Sequence, residues 1–306
     1  MRDFAMLLKS HRDDYQFAQR LLGSFYACNT EDIHLYCVVP ESDWELFGQF
    51  ESTNLTVLSE ALLGNYLVDK PLQGVRPGYI NQEIVKLAFW ELEKTRNYFC
   101  IDSDAEFIRP FRVSDFMFDQ HTPFTVLVED QDLRVDPWYF SQHGNTRDKS
   151  LDRIRAEIEL DLPYLRTCHG HQIMSSAVLR SFKTDFLDPR GWFYSDVLAI
   201  EPYEFTWYNF WLQKTERIPI HQREPLVKVF HTPQHHLEQS IRGLTAEDYA
   251  RGYLAVVVNS NFSRDQEVTQ FSSSRPHVLA EYLSLSELLR SLAVKLRMAI
   301  QRRVKR

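Results

Sequence analysis

Two aspartates at the end of an apolar run are the residues of this sequence best suited to chemistry. The run, residues 98–101, consists of aromatic and small apolar or branched side chains, and Asp102 and Asp104 lie just beyond it. Such a run predicts a buried strand. Side chains alternate along a strand, so carboxylates at i and i+2 would point the same way and would need a cation between them. Oxygen ligands favour Mg²⁺ or Mn²⁺, which complete their coordination with water and phosphate. The pattern predicts a metal–diphosphate site, and the alternative is a turn in which one aspartate caps the next segment.

The segments before this run alternate between predicted strands and helices. The predicted strands cover residues 4–9, 34–39 and 55–58. This alternation is typical of an α/β fold with a parallel sheet, whose ligands bind beyond the carboxyl ends of the strands. Ser10 and Arg12 directly follow the first strand, which makes them candidate contacts for a nucleotide or its diphosphate. Alternatively, Ser10 is only the N-cap of the next helix.

A helix predicted over residues 79–95 precedes the aspartates. Gln82 and Lys86 lie at i and i+4 on this helix and would direct an amide and an ammonium group at the same point. A lysine there could contact a diphosphate as a point charge. The alternative is a solvated pair on the helix surface.

The segment from Tyr98 to Phe111 resembles a known sequence motif. Its residues, Tyr-Phe-Cys-Ile-Asp-Ser-Asp-Ala-Glu-Phe-Ile-Arg-Pro-Phe, are similar to the strand and Asp-x-Asp motif of the GT-A class of nucleotide-sugar glycosyltransferases. More narrowly, they resemble GT-A-like proteins of bacterial surface-polysaccharide (LPS or capsule) gene clusters, and the resemblance extends over about residues 4–231. It implies an α/β fold of GT-A (Rossmann-like) type, with a mixed central sheet flanked by helices. It also implies that Asp104 binds a divalent cation directly, and that Asp102 contacts the ribose or a metal-bound water.

The same resemblance implies a histidine that completes the metal site near the end of the domain. His231 follows a strand predicted over residues 226–230, and a neutral imidazole is a suitable ligand for manganese. His235 is the alternative ligand. A solvated histidine-rich loop is the alternative interpretation.

An aromatic stretch, residues 193–211, surrounds isolated acids. Carboxylates held against apolar rings have raised pKa values, which suits proton abstraction. The resemblance includes an acid followed by an aromatic helix. This chain has Tyr-Glu-Phe where the family more typically has Ser-Glu-Tyr, and the resemblance makes Glu204 the candidate catalytic base. Asp196 and Glu201 are the other candidates. Alternatively, these acids only cap or flank a helix that packs through its aromatic side chains.

Polar residues before a helix predicted over residues 177–182 form a further candidate site. Loops that open a helix offer free backbone N–H groups, so Ser175 is a candidate contact for the donor sugar or the acceptor. His169 and His171 have no Cys or carboxylate at zinc spacing nearby, which favours polar pocket residues over metal ligands. An acidic segment, residues 129–132, follows another predicted strand and is more typical of a solvated loop.

The composition limits the classes of partner and the cellular location. A net charge of −7 over 306 residues argues against general nucleic-acid binding. Four scattered cysteines are typical of reduced thiols inside the cell. The apolar run at the N-terminus is too short for a signal peptide, and no stretch has the length of a membrane span. We therefore expect a cytoplasmic protein.

The C-terminal residues differ from the rest of the chain. Residues 285–306 carry aliphatic side chains every three or four positions and seven basic side chains between them, which predicts a basic amphipathic helix. Residues 260–284 are the predicted linker to a GT-A-like domain over residues 1–259. An anionic membrane surface is the expected partner of this helix, at the inner face of the cell membrane. The alternatives are an oligomerisation helix or a helix that packs back onto the domain.

Together these features predict a metal-dependent glycosyltransferase with Mn²⁺ or Mg²⁺ as its cofactor. The expected donor is a nucleotide-diphosphate sugar, with a UDP-sugar first, and the expected acceptor is a saccharide or a lipid-linked saccharide. The alternative is a non-catalytic nucleotide- or sugar-binding protein with the same fold.

Overall fold

The computed structural model describes residues 1–127, 134–135, 137–161, 165, 171–260, 289 and 293. Several features predicted from the sequence lie outside the described residues. They are the acidic segment 129–132, His169, the linker after Ser260 and almost all of the C-terminal helix over residues 285–306.

The described strands form a five-stranded central sheet and two smaller sheets. They are β1 (Arg2–Lys9), β2 (Leu35–Val39), β3 (Leu55–Ser59), β4 (Thr95–Ile101), β5 (Ala105–Phe107), β6 (Phe124–Val126), β7 (Ile173–Ser175), β8 (His221–Arg223), β9 (Val227–Phe230) and β10 (Ala255–Val258). The central sheet has the order β3-β2-β1-β4-β7. Its first four strands are parallel, and β7 runs antiparallel to β4.

Helices connect these strands and cover the central sheet. The α-helices are α1 (Tyr15–Cys28), α2 (Trp44–Gly48), α3 (Pro77–Ala88), α4 (Pro137–Ile158), α5 (Ser176–Ser181), α6 (Tyr194–Ile200), α7 (Glu204–Thr215), α8 (Pro233–Ile241) and α9 (Ala246–Ala250). Short 3-10 helices lie at Arg12–Asp14, Glu41–Asp43, Glu60–Leu63, Phe89–Leu92, Val113–Asp115 and Asp188–Arg190, and a π-helix lies at Phe182–Leu187. The predicted α/β class with a mixed central sheet flanked by helices is confirmed. No described helix has both the length and the apolar composition needed to cross a membrane.

The central sheet is buried on both faces because its side chains alternate between two apolar clusters. Ala5 and Leu7 of β1 pack into one cluster, which also contains Ile84 of α3. Met6 and Leu8 pack into the other, together with Leu21 of α1. A parallel strand covered on both faces has a continuous apolar sequence, which explains why β1 was recognisable from composition alone.

The helix predicted over residues 79–95 extends too far. The α-helix ends at Ala88 and a 3-10 turn continues to Leu92, after which Glu93 adopts a left-handed conformation with φ of 52°. Thr95 then pairs with Arg2 as the first residue of β4. Strand pairing with β1 therefore overrides the helical pattern at the end of this segment.

A second sheet, with the order β5-β10-β9, lies beside the central sheet. β9 and β10 are parallel, so their carboxyl ends, at Phe230 and Val258, lie at the same edge. β9 agrees with the strand predicted over residues 226–230. Strands β5 and β10 were not predicted. β5 has only three residues, which is too short for a clear periodicity, whereas the apolar run over residues 253–258 was an available signal for β10.

Two buried histidines predict how stability depends on pH. Burial lowers the pKa of His34 to about 4, and it also lowers the pKa of His236 to about 4. Below pH 6.5 the unfolded chain binds protons at these positions while the folded protein does not. We therefore expect the free energy of unfolding to fall as the pH decreases from about 6.5 to about 4, as measured by urea unfolding.

The variant His34→Gln isolates one of these contributions. Its amide can keep a hydrogen bond to Thr56, whose hydroxyl oxygen lies 2.9 Å from His34 Nε2. We expect the slope of stability against pH between 6.5 and 4.5 to become shallower in this variant. His121→Gln, at an exposed histidine, is the matched control. An identical slope in His34→Gln and the wild type would contradict the assignment.

Candidate active site

A group of polar side chains surrounds a cleft at the carboxyl ends of β1 and β4. These strands are neighbours in the central sheet, so Lys9 at the end of β1 and Asp102 just after β4 lie at the same edge. Residues 79–86 of α3 and the N-terminal part of α7 form another wall of the cleft, and residues at the ends of β9 and β10 complete it. Of the predicted site residues, six line this cleft: Gln82, Lys86, Asp102, Asp104, Glu204 and His231.

The two aspartates lie on a turn between β4 and β5. The backbone N–H of Ala105 donates to the carbonyl oxygen of Asp102 at 3.1 Å, so the extended geometry of β4 ends at Ile101. The expectation that strand alternation aligns Asp102 and Asp104 is therefore wrong, although both side chains line the cleft. Their common location follows from the position of the turn at the sheet edge.

A hydroxyl pair joins this turn to the end of β1. Ser103 Oγ lies 2.9 Å from Ser10 Oγ, and both serines are buried. Ser10 was predicted as a nucleotide contact, but the structure places it behind the turn. It supports the position of the two aspartates.

Asp104 is held from the other side of the cleft. The backbone N–H of Ser260 donates to its Oδ2 at 3.0 Å. Burial, followed by the charge of Asp102, raises the pKa of Asp104 to about 6. The carboxylate pair thus carries a repulsion that a bound cation would relieve.

Lys86 connects the turn with the start of α7. Its Nζ lies 3.0 Å from Glu204 Oε1 and 3.2 Å from Asp102 Oδ1. Gln82 Nε2 donates to the same Asp102 oxygen at 3.4 Å, so the amide and the ammonium do converge as predicted. The Lys86 side chain is only 5% exposed, which rules out a solvated surface pair. Although burial lowers the pKa of Lys86, the charges of Asp102 and Glu204 outweigh it and raise the pKa well above its usual value.

Glu204 is the first residue of α7 and is buried beside Lys86. Burial alone would raise its pKa, as predicted from the aromatic surroundings. The charge of Lys86, together with hydrogen bonds from Glu83 and Lys86, is stronger and holds the pKa of Glu204 below its usual value. The predicted direction of the shift is therefore wrong, and Glu204 is ionised at neutral pH.

Glu83, and not Glu204, is the acid of this pair whose pKa is raised. This residue of α3 is buried, and burial, followed by the neighbouring charge of Glu204, raises its pKa well above the usual value. The sequence prediction missed Glu83. An acid three residues before Lys86 on the same helix was the available signal, because such residues share a helix face.

Two of the three histidines that line the cleft were singled out in the sequence, His171 and His231. His171 Nε2 is 3.6 Å from Asp102 Oδ2, and burial lowers the pKa of His171, which favours the neutral imidazole. Its location agrees with the prediction of a polar pocket residue. His231 is fully buried, and its ring stacks on that of Tyr139 at 4.3 Å. The alternative ligand His235 packs against Phe230 and is not part of the cleft lining.

The described residues fit one mode of metal binding. No group of three or more His, Cys, Asp or Glu side chains among them is arranged to hold a metal ion by itself. Mg²⁺ is usually bound by one or two carboxylates together with water and substrate phosphates. Asp102 and Asp104 supply such a carboxylate pair at the cleft, so a cation there would depend on a ligand phosphate to complete its coordination.

Besides Ser10, three predicted site residues lie outside the cleft lining. Arg12 binds Asp43 through its Nε at 2.7 Å. Ser175 pairs with Asn97 near the start of β4, at the opposite end of that strand from Asp102. Asp196 accepts a hydrogen bond from the backbone N–H of Phe193 at 2.6 Å and thereby caps α6.

Each of the three residues thus has a contact other than the predicted one, and their predicted roles stay predictions. The Arg12 guanidinium binds the Asp43 carboxylate. The antiparallel pairing of β7 with β4 places Ser175 at the end of β4 that is remote from the cleft. The Asp196 carboxylate caps the start of α6. Glu201, the other candidate base, instead forms a salt bridge with Arg153 at 2.7 Å.

The Lys86 interaction predicts a coupled effect on stability. Lys86→Met keeps the length of the side chain but leaves the buried Glu204 carboxylate without its counter-charge. Removing one partner of a buried ion pair costs about 3–5 kcal/mol, so we expect the free energy of unfolding in urea to fall by that amount. Adding Glu204→Gln to this variant should restore part of the loss.

Lys183→Met is the matched control. Its ammonium lies 2.7 Å from Glu91 Oε2 but is 24% exposed, so we expect a smaller loss. Strictly additive effects of Lys86→Met and Glu204→Gln would show that the two side chains are not coupled.

Comparisons with known proteins add a family to this description. The crystal structure of the apo form of mouse xyloside xylosyltransferase 1 is similar to the chain with a TM-score of 0.46 and 11% sequence identity, covering 85% of this chain and 98% of that chain. No curated protein matches the sequence. A model of a family of unknown function, DUF6492, matches residues 6–241, which is most of the chain, and the protein therefore belongs to the DUF6492 family.

Proposed function

We propose that this protein is a metal-dependent glycosyltransferase of the GT-A type. It would transfer a sugar from a nucleotide-diphosphate donor, with a UDP-sugar as the first candidate, to a saccharide acceptor in the synthesis of a bacterial surface polysaccharide. The observation that supports the proposal is the meeting of Asp102, Asp104, Lys86 and Glu204 in one cleft at the carboxyl ends of parallel strands. The resemblance of residues 98–111 to the Asp-x-Asp motif supports the same function.

The proposed cofactor is Mn²⁺ or Mg²⁺. Asp104 and Asp102 would hold it, and His231 lines the same cleft as a further candidate ligand. When bound, the cation supplies positive charge that offsets the charge of the leaving diphosphate.

Lys86 provides a permanent positive charge beside this position. Its two carboxylate partners keep it protonated, and they fix its ammonium 3.2 Å from Asp102 Oδ1. A charge held in place before the reaction stabilises a leaving diphosphate without reorganisation.

Glu204 is the proposed base in an inverting transfer. As the acceptor oxygen bonds to the anomeric carbon and the bond from that carbon to the diphosphate breaks, Glu204 would take the hydroxyl proton. Its lowered pKa keeps the carboxylate ionised and ready to accept a proton at neutral pH. Asp196 caps the start of α6 outside the cleft lining, so it is not assigned this role.

Asp104→Asn tests the proposed function. Asparagine has the same shape and can still accept the hydrogen bond from Ser260 N–H, but it carries no charge for a cation. We expect manganese-dependent turnover of the donor to fall roughly 100-fold or more, because a bound cation supplies several kcal/mol of charge stabilisation. The assay is hydrolysis of a panel of UDP-, GDP-, CMP- and TDP-sugars with and without Mn²⁺.

Asp119→Asn is the matched control. This aspartate lies in an exposed turn outside the cleft lining, where it accepts hydrogen bonds from the backbone N–H groups of His121 and Thr122. Unchanged turnover in Asp104→Asn would end the metal-site assignment. Wild-type protein that binds a nucleotide sugar but turns over none would instead support a non-catalytic binding protein.

We further propose, from sequence alone, that residues 285–306 bind an anionic membrane surface. Each Lys or Arg near such a surface contributes about 1 kcal/mol, and this segment carries seven. Deleting residues 285–306 should release the protein from liposomes that contain phosphatidylserine, while turnover of soluble substrates is kept. The binding of the full chain should weaken as salt is raised. A deletion variant that still sediments with the liposomes would contradict the proposal.

A further inference from the structure

We propose that Glu83 is a positioning residue of the cleft, which donates a hydrogen bond to Glu204 and holds its carboxylate beside Lys86. This inference rests on the proposed function, in which Glu204 is the base. Glu83 was not among the site residues that the Asp-x-Asp motif and its neighbouring sequence predicted.

The first support is the arrangement of the side chains. Glu83 and Lys86 are one turn apart on α3, and Lys86 Nζ donates to Glu204 Oε1 at 3.0 Å at the start of α7. Glu83 acts on the same carboxylate, because a hydrogen bond from it helps to lower the pKa of Glu204. Glu83 is only 2% exposed and lines the cleft. One turn of α3 therefore binds a single carboxylate with two side chains.

The second support is the location of the proton. Two carboxyl groups that share a hydrogen bond need a proton between them. Glu204 has the Lys86 ammonium 3.0 Å away, whereas no described Lys, Arg or His lies within ion-pair distance of Glu83. Glu83 Oε2 is also buried without a hydrogen-bond partner among the described residues. An ionised Glu83 would thus be a poorly compensated buried charge, so the proton belongs to Glu83.

The consequence is a division of roles between two neighbouring acids. Glu83 is the neutral donor and Glu204 is the charged acceptor, in agreement with the raised pKa of Glu83 and the lowered pKa of Glu204. Hydrogen bonds from two directions fix the orientation of the Glu204 carboxylate. They also favour its ionised form, so that the base is ready over a wider range of pH.

Two substitutions separate this role from simple packing. Glu83→Gln keeps a neutral donor of the same shape, whereas Glu83→Leu fills the space without a donor. We expect Glu83→Gln to keep kcat within a few-fold of the wild type, and Glu83→Leu to lose roughly 10- to 100-fold, which corresponds to one hydrogen bond to a charged group. The KM for the donor sugar should change little in both variants.

The pH profile gives a readout that a purely structural role would not move. Without the Glu83 hydrogen bond the pKa of Glu204 rises, so the acidic limb of kcat should shift to higher pH in Glu83→Leu and stay in place in Glu83→Gln. The other groups that act on this pair are the same in all variants, so the difference between them reports on Glu83. They are Lys86 and Tyr79 of α3, Cys100 of β4, Asp102 and His171.

Glu91 provides the matched control. It accepts hydrogen bonds from Tyr66, Tyr194 and Lys183 outside the cleft lining. Glu91→Leu should therefore lower the melting temperature without moving the acidic limb.

A second measurement does not depend on turnover. The pKa of Glu204 can be followed by ¹³C NMR of the labelled carboxyl group, with Glu204→Gln to assign the signal. We expect this pKa to rise in Glu83→Leu and to be unchanged in Glu83→Gln.

The two measurements also distinguish this inference from the proposed function. An unchanged Glu204 pKa in Glu83→Leu, or an equal rise in Glu83→Gln, would overturn the hydrogen-bond role whether or not the protein is an enzyme. A shifted pKa together with wild-type kcat in Glu83→Leu would overturn the positioning role in catalysis. Wild-type protein without turnover on any donor would overturn the proposed function, and the reaction role of Glu83 with it.

Discussion

The cleft depends on one buried ammonium group. Lys86 lies within 3.2 Å of carboxylates from two distant parts of the chain, Asp102 after β4 and Glu204 at the start of α7. These contacts join the central sheet, α3 and α7 at the point where all three reach the cleft. Since a buried charge without its partner is costly, the three elements must be placed together for any one of the groups to be stable.

This ammonium also determines which acid of the cleft is ionised. Glu83 and Glu204 are both buried, and burial by itself would raise both pKa values. Only Glu204 has Lys86 at ion-pair distance, so the two pKa values are shifted in opposite directions. Neighbouring carboxyl groups with opposite shifts are suited to different roles, one as a proton donor and one as a base.

The two aspartates are positioned by contacts from outside their own strand. The Ser103–Ser10 hydroxyl pair holds the turn against β1, and Ser260 N–H holds Asp104 from the end of β10. The second sheet thus contributes to the site although it carries neither aspartate. The cation site proposed at these aspartates would therefore require both sheets to be folded.

The sequence by itself determined the main elements and the location of the site. The apolar runs of β1, β2 and β4, which alternate with predicted helices, predicted an α/β fold, because side-chain periodicity is a local property. The stripe of Gln82 and Lys86 was visible for the same reason, since residues four apart share a helix face. Asp102 and Asp104 stood out because two carboxylates directly after a buried strand repel each other unless a cation lies between them.

Only the tertiary structure decided which charges meet. Lys86 and Glu204 are 118 residues apart in the chain, and no local pattern predicts that they touch or that the pKa of Glu204 is lowered by the contact. In the same way, Asp43 takes up the Arg12 guanidinium from 31 residues away, and the antiparallel pairing of β7 places Ser175 at the far end of β4. The sign of a pKa shift depends on the nearest charges in space, and these are set by packing and not by spacing along the chain.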